Sequence, residues 1–212
     1  MRRLSIHDIQ QSASPRLQLV VGESSDADLL ARLRRGDREA TARLYDRFHR
    51  DINRVVWKLL GGDADHNDLV HDIFIKVSSQ IARVREPDKL ANWVVAVAVN
   101  TVYKEIRKRK VRRLFLRQAP RDPTTRGADV EGRDLLRRVY GVLDHLSARE
   151  RMAFSLRFLD ERTLPEVAEL CGWSLATTKR RLDRAKTEFG RLAGSDRDLA
   201  RRLGIPDKGG RS

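Results

Sequence analysis

The sequence predicts an all-α fold with two small helical domains joined by a flexible linker. Apolar residues recur every three or four positions through most of the 212 residues, which is the spacing of amphipathic helices. No alternating apolar and polar run bounded by turns indicates a strand, and the β-branched "VVAVAV" lies inside a longer run with helical spacing. One stretch with almost nothing to bury, 118–133, separates two helical blocks.

The first two helices follow a polar segment, 1–25, that is predicted to be a flexible N-terminal extension. One helix starts at Asp26 and stops at Gly36. A second, long helix stops at Gly61–Gly62, because glycine accepts the backbone conformation that ends helices. The apolar face of this long helix consists of Ala40, Leu44, Phe48, Ile52, Val55, Val56 and Leu59.

Two further helices complete a first domain over 26–115. Pro87 breaks the chain after the third helix, and Asp88 is placed to cap a fourth that runs through "LANWVVAVAVNTVYKEIRKRKVRR". The apolar stripe of the third helix consists of Leu69, Val70, Ile73, Phe74, Val77 and Ile81.

The second block is predicted to be a separate domain over 133–193. A linker, 116–132, precedes it, and a polar tail, 194–212, follows it with "DRDLARRLG" as one or two more helical turns. One face of its first helix is apolar and consists of Leu135, Leu136, Val139, Leu143 and Leu146.

Capping boxes and a glycine turn define a helix-turn-helix in the second domain. Ser147–Glu150 and Thr163–Glu166 have the spacing at which a hydroxyl and a carboxylate cap a helix start reciprocally. Within 164–189, the small Ala168 lets two helices approach closely, and Gly172 supplies the freedom that a tight turn requires. A serine two residues later is placed to cap the second helix.

The second helix of this unit has the composition of a DNA recognition helix. Arg and Lys pair with guanine edges in the major groove, Thr contacts thymine methyl groups, and flanking cations bind phosphate. A charged, solvated helix after a glycine loop is the simpler alternative. Leu175, Leu182 and Ala185 are predicted to face inward, and the candidate DNA contacts are Thr177, Lys179, Arg180, Arg181, Arg184 and Lys186.

Composition favours a polyanionic partner. The formal net charge is +14, which points to nucleic acid first and an acidic membrane surface second. Aromatic residues make up only 6 %, which argues against repeated base-stacking platforms. The single Cys171 excludes an internal disulfide. Because no signal peptide or membrane-length apolar run is visible, we expect a cytoplasmic protein without membrane insertion.

The fourth helix changes character along its length. Its first half, "ANWVVAVAV", is apolar, whereas "RKRKVRRLFLR" at its end carries seven cations in eleven residues. A helix buried at one end and cationic at the other presents its later turns to a phosphate backbone. The alternative is a basic linker that binds nucleic acid without specificity.

The chain resembles the extracytoplasmic-function (ECF) group of bacterial sigma factors of the sigma-70 family. "DLVHDIFIKV" with "WVVAVAVNTVYKEIRKRK" is similar to their region 2, and "LDHLSARERMAFSLRFLDERTLPEVAELCGWSLATTKRRLDRAKTEF" is similar to their region 4. The order, the spacing and the intervening linker agree over about 26–190. The resemblance implies an alternative sigma factor that takes core RNA polymerase to promoters and opens the DNA.

The resemblance also implies partners. The third helix would dock on the clamp helices of the polymerase β′ subunit, and the second domain on the β flap. The implied docking residues are Asp68, His71, Asp72 and Phe74. The family usually has Gln and Glu where His71 and Asp72 stand. An anti-sigma factor is a possible further partner that the sequence leaves open.

The two promoter elements are assigned by the same resemblance. The loop "VREPDK" (84–89) would form a pocket for a flipped-out base of the −10 element, beside Asn100. Lys104 stands where Asp or Asn is common, which leaves the −10 sequence open, and Trp93 is assigned to the core. The candidate −10 residues are Arg85, Lys89, Asn100, Lys104, Lys108, Arg109, Arg112 and Arg113.

In the second domain the recognition helix would read the −35 element as duplex. Thr178 stands where an aliphatic residue is usual, which predicts a small stability cost, and Arg180 where a small residue is frequent, which bears on the preferred −35 sequence.

Two other classes of function were weighed. A free-standing helix-turn-helix regulator would bind an operator without polymerase. An enzyme is not expected, because no nucleophile–base set, glycine-rich phosphate loop or cofactor motif is present. No metal is predicted either, since His66 and His71 are five residues apart and do not share a helix face.

Overall fold

The computed structural model describes residues 25–61, 65–116 and 130–203, and within these ranges the chain forms helices and turns without strands. The predicted all-α class is therefore confirmed. Most of the predicted N-terminal extension and linker, and the end of the tail, lie outside the described residues. The helices are α1 (Asp26–Arg34), α2 (Arg38–Leu60), α3 (His66–Gln80), α4 (Leu90–Leu116), α5 (Val130–His145), α6 (Ala148–Phe154), α7 (Leu164–Cys171), α8 (Leu175–Ala193) and α9 (Arg197–Leu203).

Local signals in the first domain set the limits of α2. The Asp37 side chain accepts a hydrogen bond from the backbone N–H of Glu39 at 2.8 Å and so caps the helix start. At the other end Gly61 has a φ of 74°, the left-handed conformation that glycine accepts without strain. The predicted stop is confirmed, and α2 packs its apolar face against α1, α3 and α4.

The start of α4 differs from the prediction. Asp88 lies inside a short 3-10 turn, Pro87–Lys89, and α4 begins after it at Leu90. A proline-led turn with its own hydrogen bonds leaves Asp88 without the extended backbone that an N-cap needs. The apolar "VVAVAV" stretch is helical, because burial against α2 and α3 outweighs the β preference of valine.

The second domain begins earlier than the composition suggested. Helix α5 starts at Val130, three residues before the predicted boundary, and includes Gly132. Glycine in a helix interior costs about 1 kcal/mol relative to alanine. The apolar face of α5, which includes Val139 and Leu143, is buried in the second core. The burial of this face compensates for the cost of the glycine near the start of α5.

Both predicted capping boxes are present. In each, the hydroxyl of Ser147 or Thr163 accepts from a backbone N–H while the glutamate three residues on accepts from the cap residue. Gly172 ends α7 with a φ of 65°, as the turn requires. After α6, Ser155–Leu159 forms a wider π-helical turn, closed by a hydrogen bond from the Asp160 N–H to the Ser155 carbonyl.

The C-terminal helix α9 is part of the second core. Leu199 and Leu203 are buried against α5 and α8, and Arg138 of α5 forms an ion pair with Asp196 at 3.0 Å. Residues Arg197–Leu203 of the "DRDLARRLG" segment are thus helical, as predicted, and cover one side of the second core.

The two domains share apolar packing. Met152 and Leu156 from α6 and the turn after it, and Val167 and Leu170 from α7, are buried in the same cluster as α2 and α4. A linker between two blocks predicted separate cores but did not predict this contact. The contact arises because α6 and α7 are apolar on a second face that their own domain does not cover.

Candidate nucleic-acid interface

Helix α8 presents a cationic outer surface. Its start is fixed by Ser174, whose hydroxyl oxygen accepts from the Thr177 N–H at 3.2 Å. Within the described residues, the five candidate DNA-contacting cations of this helix form no ion pairs with carboxylates, whereas Arg191 near its end pairs with Glu188 at 2.6 Å. The exposed members of this set are Lys179, Arg180, Arg184 and Lys186.

Three side chains of this helix depart from the predicted division into inward-facing and outward-facing residues. Leu175 is 52 % exposed, so its predicted inward position is wrong; at the first helical position its side chain lies beside the turn rather than over the core. Thr178 is fully buried instead, and its hydroxyl donates to the Ser174 carbonyl at 3.0 Å. Arg181 is half-buried, and its Nε has no hydrogen-bond partner among the described residues. The Thr177 hydroxyl is engaged by the Ser174 hydroxyl at 2.9 Å.

The loop 84–89 is mostly exposed and is held at both ends by buried apolar residues. Val84 and Leu90 are buried, and Arg85 between them is exposed. A feature that the sequence did not reveal is Arg34 of α1, whose guanidinium donates to the Val84 carbonyl. No spacing rule joins residues fifty positions apart, so only the tertiary structure could identify this contact.

Lys89 at the end of the loop is paired within the protein. Its ammonium lies 2.8 Å from the Glu86 carboxylate, and this hydrogen bond raises the pKa of Lys89. Both side chains are largely exposed, so the pair contributes little stability.

The middle of α4 carries two of the candidate −10 residues. Asn100 and Lys104, one helical turn apart, are both exposed. The Asn100 amide donates to the Ala96 carbonyl at 2.9 Å, which fixes its side chain along the helix. Trp93 is half-buried and packs against the first core, as assigned.

The four candidate cations at the end of α4 fall into two pairs. Lys108 and Arg112 are exposed to solvent. Arg109 has a side chain that is only 11 % exposed and pairs with Glu105 at 2.7 Å and with a second acidic group. Arg113 forms an ion pair with Asp144 of the second domain at 2.9 Å. Only one pair is therefore presented to a nucleic acid in this arrangement.

The predicted docking face on α3 is acidic and partly apolar. Asp68, His71 and Asp72 are exposed, whereas Phe74 is 8 % exposed and so supports the face from beneath. The Phe74 ring packs against Tyr45 of α2, with centroids 4.6 Å apart.

Two exposed apolar residues extend this face. Tyr45 is 45 % and Ile75 is 54 % exposed, and neither was singled out from the sequence. The signal that could have found Ile75 is its position outside the apolar stripe of α3.

Neither a metal site nor a membrane span is found in the described parts of the chain. His66, weighed above as a metal ligand, forms a hydrogen bond with the Asn53 side chain at 2.9 Å. No group of three potential ligands lies together among the described residues. No described helix is both long and apolar enough to cross a membrane.

Family profiles match both domains. The family described as "Sigma-70 region 2" matches residues 44–112, and the one described as "Sigma-70, region 4" matches residues 136–189. Together they cover more than half of the chain. Relatives agree: SigV, an RNA polymerase sigma factor of Bacillus subtilis, is 27 % identical over 135 residues, which are 64 % of this chain and 80 % of SigV. The chain belongs to the ECF group of the sigma-70 family.

A second relative and two solved structures extend the comparison. The ECF sigma factor SigM of Mycobacterium tuberculosis is 26 % identical over 172 residues, which are 81 % of this sigma factor and 86 % of SigM. CnrH, solved with the cytosolic domain of CnrY, has a TM-score of 0.56 at 21 % identity and covers 82 % of this chain and 99 % of its own. RpoE of Bartonella quintana, solved with the anti-sigma factor NepR, has a TM-score of 0.51 at 22 % identity over 69 % of this chain and 92 % of its own.

These likenesses confirm the predicted family, fold and function class. The chain is an alternative sigma factor, which is a transcription initiation factor and not an enzyme. The two profile matches do not include α1 or α9. Arg34, which contacts the Val84 carbonyl, and the buried leucines of α9 therefore lie outside the matched residues.

Proposed function

We propose that this sigma factor directs core RNA polymerase to promoters by reading two elements with two domains. The first domain, 26–115, docks on the β′ clamp helices, reads the −10 element and opens the DNA. The second domain, 133–193, reads the −35 element as duplex and binds the β flap. The segments 1–25, 116–132 and 194–212 are the extension, linker and tail of this arrangement.

One observation carries the proposal: a single chain bears two different DNA-facing surfaces. Helix α8 offers exposed cations on a capped helix, which suits the major groove of a duplex. The first domain offers the exposed loop 84–89 together with Asn100, and this combination suits an extruded base. A free-standing regulator needs only the first surface, and family membership does not support that alternative.

Docking on polymerase is assigned to the α3 face. Asp68 and Asp72 give it negative charge although the chain as a whole has a net charge of +14. A local acidic patch on a basic protein selects a basic partner surface and steers the encounter. Tyr45 and Ile75 supply apolar area around the charges, as expected at the centre of a protein interface.

The place of action follows from this role. A factor that acts on polymerase works in the cytoplasm, and we place it at the nucleoid with its promoter DNA. CnrH and RpoE were solved with CnrY and NepR. We extend this to a regulator for the present chain, an anti-sigma factor that competes with polymerase.

Run-off transcription tests the proposal. Purified core polymerase is incubated with fragmented genomic DNA, with and without the full-length chain, and the transcripts are sequenced. We expect discrete start sites that need the chain and share two upstream elements. Transcripts that do not depend on the chain, combined with tight binding of the chain alone to specific duplexes, would instead support the free-standing regulator.

A further inference from the structure

Helix α1 packs against two 3-10 turns that belong to the surroundings of the loop 84–89. One turn, Ile81–Arg83, precedes the loop, and the other, Pro87–Lys89, forms its end. The three leucines of α1 are buried in the first core, which fixes the helix in place. The region 2 profile matches residues 44–112 and so gives no role to α1.

One side chain of α1 makes a polar contact with the loop. The Arg34 guanidinium donates a hydrogen bond to the Val84 carbonyl oxygen. Val84 is buried, and its own N–H donates to the Ile81 carbonyl at 3.1 Å. Among the described residues, no other side chain from outside the loop forms a hydrogen bond with it. Both backbone polar groups of the residue that opens the loop are therefore held.

This hydrogen bond fixes the direction in which the loop leaves the core. The carbonyl of Val84 and the N–H of Arg85 belong to one planar peptide unit, so a bond to the oxygen also sets the orientation of the next residue. Val84 has an extended backbone, with φ of −70° and ψ of 113°, which leads the chain out of the preceding turn. Arg85 and Glu86 follow as exposed residues. Arg34 thus determines where the exposed part of the loop begins.

The end of the loop is held by its own backbone. The Lys89 N–H donates to the Glu86 carbonyl at 3.1 Å, and the Leu90 N–H donates to the Pro87 carbonyl. The proline ring also restricts the backbone of this turn. The start of the loop depends instead on a contact from another helix.

The simpler role for Arg34 is a positive charge near the end of α1. Cations in the last turn of a helix interact favourably with its dipole. Arg32, in the same turn, pairs locally with Asp37 at 2.7 Å and with Glu39 at 2.9 Å. Arg34 reaches a partner fifty positions away instead. Because a guanidinium is a rigid planar fork of N–H donors, it can hold a carbonyl oxygen in a defined position.

We propose that Arg34 is a positioning residue for the −10 element: it holds the Val84 carbonyl so that the loop 84–89 keeps the shape that accepts an extruded base. The inference rests on the proposed function, in which this loop and Asn100 form the base pocket. A flipped base is read by hydrogen bonds to its edge, which require partners in fixed places. A loop that samples several shapes loses affinity for the correct base in proportion to the time spent in the wrong ones.

Hydrogen exchange in the free full-length chain tests the positioning itself. We expect the loop amides of Arg34→Ala to exchange about threefold to tenfold faster than those of wild type, because a hydrogen bond from a charged donor is lost. Arg34→Lys should restore part of the protection, since an ammonium still donates to a carbonyl. Arg35→Ala is the matched control: it removes the same charge from the next, exposed position and should keep the wild-type exchange rate. Circular dichroism checks that helix content is retained.

Binding of the reconstituted holoenzyme to a pre-melted promoter bubble tests the effect on base reading. The bubble carries the native −10 element or one substituted base at each position in turn, and the ratio of the two affinities gives the discrimination. A substituted base gains little from the pocket and so loses little when the loop moves. At the position that wild type discriminates most, we expect Arg34→Ala to lower this ratio about threefold to tenfold. Arg34→Lys should lie between Arg34→Ala and wild type, and Arg35→Ala should keep the wild-type ratio.

The proposal is rejected if Arg34→Ala leaves the exchange of the loop unchanged, or if exchange rises while discrimination stays at the wild-type value. Equal losses of affinity for Arg34→Ala and Arg35→Ala on every bubble would also reject it, because Arg34 would then act only as a charge. A wild-type holoenzyme that does not discriminate between −10 bases would contradict the proposed reading of the −10 element. The exchange measurement contains neither polymerase nor DNA, so it still decides whether Arg34 holds the loop.

Discussion

The two helices assigned to promoter DNA, α4 and α8, are both strongly basic but expose their cations differently. On α8, Lys179, Arg180 and Arg184 are exposed and form no ion pair in the described structure. On α4, Arg109 is half-buried and paired with acidic groups, and Arg113 is held by Asp144.

The number of cationic residues in a helix therefore does not give the number of cations that a ligand can reach. We expect the α8 surface to bind duplex DNA without rearrangement, because each exposed cation can release counterions from the DNA on binding. The α4 surface offers an exposed amide beside the loop 84–89, and one of its cations, Arg113, is held by Asp144 of the second domain. Four predictions test this contrast, from the largest expected effect to the smallest.

Asp72→Arg tests the docking of the first domain on the β′ clamp helices of polymerase. The exposed carboxylate becomes a cation where attraction is required, so we expect affinity for core polymerase to fall by more than about a hundredfold. Co-purification with core measures it, and circular dichroism checks the fold. Asp28→Arg, an exposed charge reversal on α1, is the control. Wild-type co-purification of Asp72→Arg would refute the docking assignment.

Asn100→Ala tests the specialised surface of α4. Opening a duplex costs a few kcal/mol per base, which binding of the extruded strand must recover. We expect normal holoenzyme and closed complex but about tenfold less open complex, with partial rescue on a pre-melted bubble. Permanganate footprinting of −10 thymines measures it. Asn92→Ala, an exposed asparagine two turns earlier, is the control. Unchanged thymine reactivity in Asn100→Ala would show that the amide does not hold the strand.

Arg184→Ala tests the simpler surface of α8. Loss of a contact in the major groove should reduce transcription from the native −35 element about fivefold to tenfold, and much less from a scrambled one. Run-off assays on the two promoters measure the ratio. The control is Arg191→Ala, because Arg191 lies further along the same helix and is paired with Glu188 at 2.6 Å. Equal losses of transcription on both promoters would show that Arg184 does not read a base.

A comparison of Arg112→Ala with Arg109→Ala separates an exposed cation of α4 from one that is paired within the protein. The exposed Arg112 should account for about one unit in the slope of log affinity against log salt. Arg109→Ala should leave the slope unchanged and lower the free energy of unfolding, since it removes the partner of Glu105. Holoenzyme binding to promoter DNA at several salt concentrations, with urea unfolding of the free chain, tests both. Equal salt slopes for the two variants would contradict the division.

The sequence alone determined the helical class, both capping boxes and the family, although its Asp88 cap was wrong. Periodicity set the helical class, and both capping boxes and the glycines at 61 and 172 formed as predicted, because these signals act within one helical turn. Motif order and spacing identified region 2 and region 4. The roles of individual DNA and polymerase contacts stay predictions.

Only the tertiary structure decided which side chains are available and how the domains meet. Leu175 is exposed, and Arg109 and Arg113 are engaged in ion pairs, although their spacing along the helix does not distinguish them from their neighbours. The contacts of Tyr140 and Arg151 with α2 join residues more than eighty positions apart. Local patterns carry no information about such pairs, because burial and charge pairing depend on which faces the whole chain brings together.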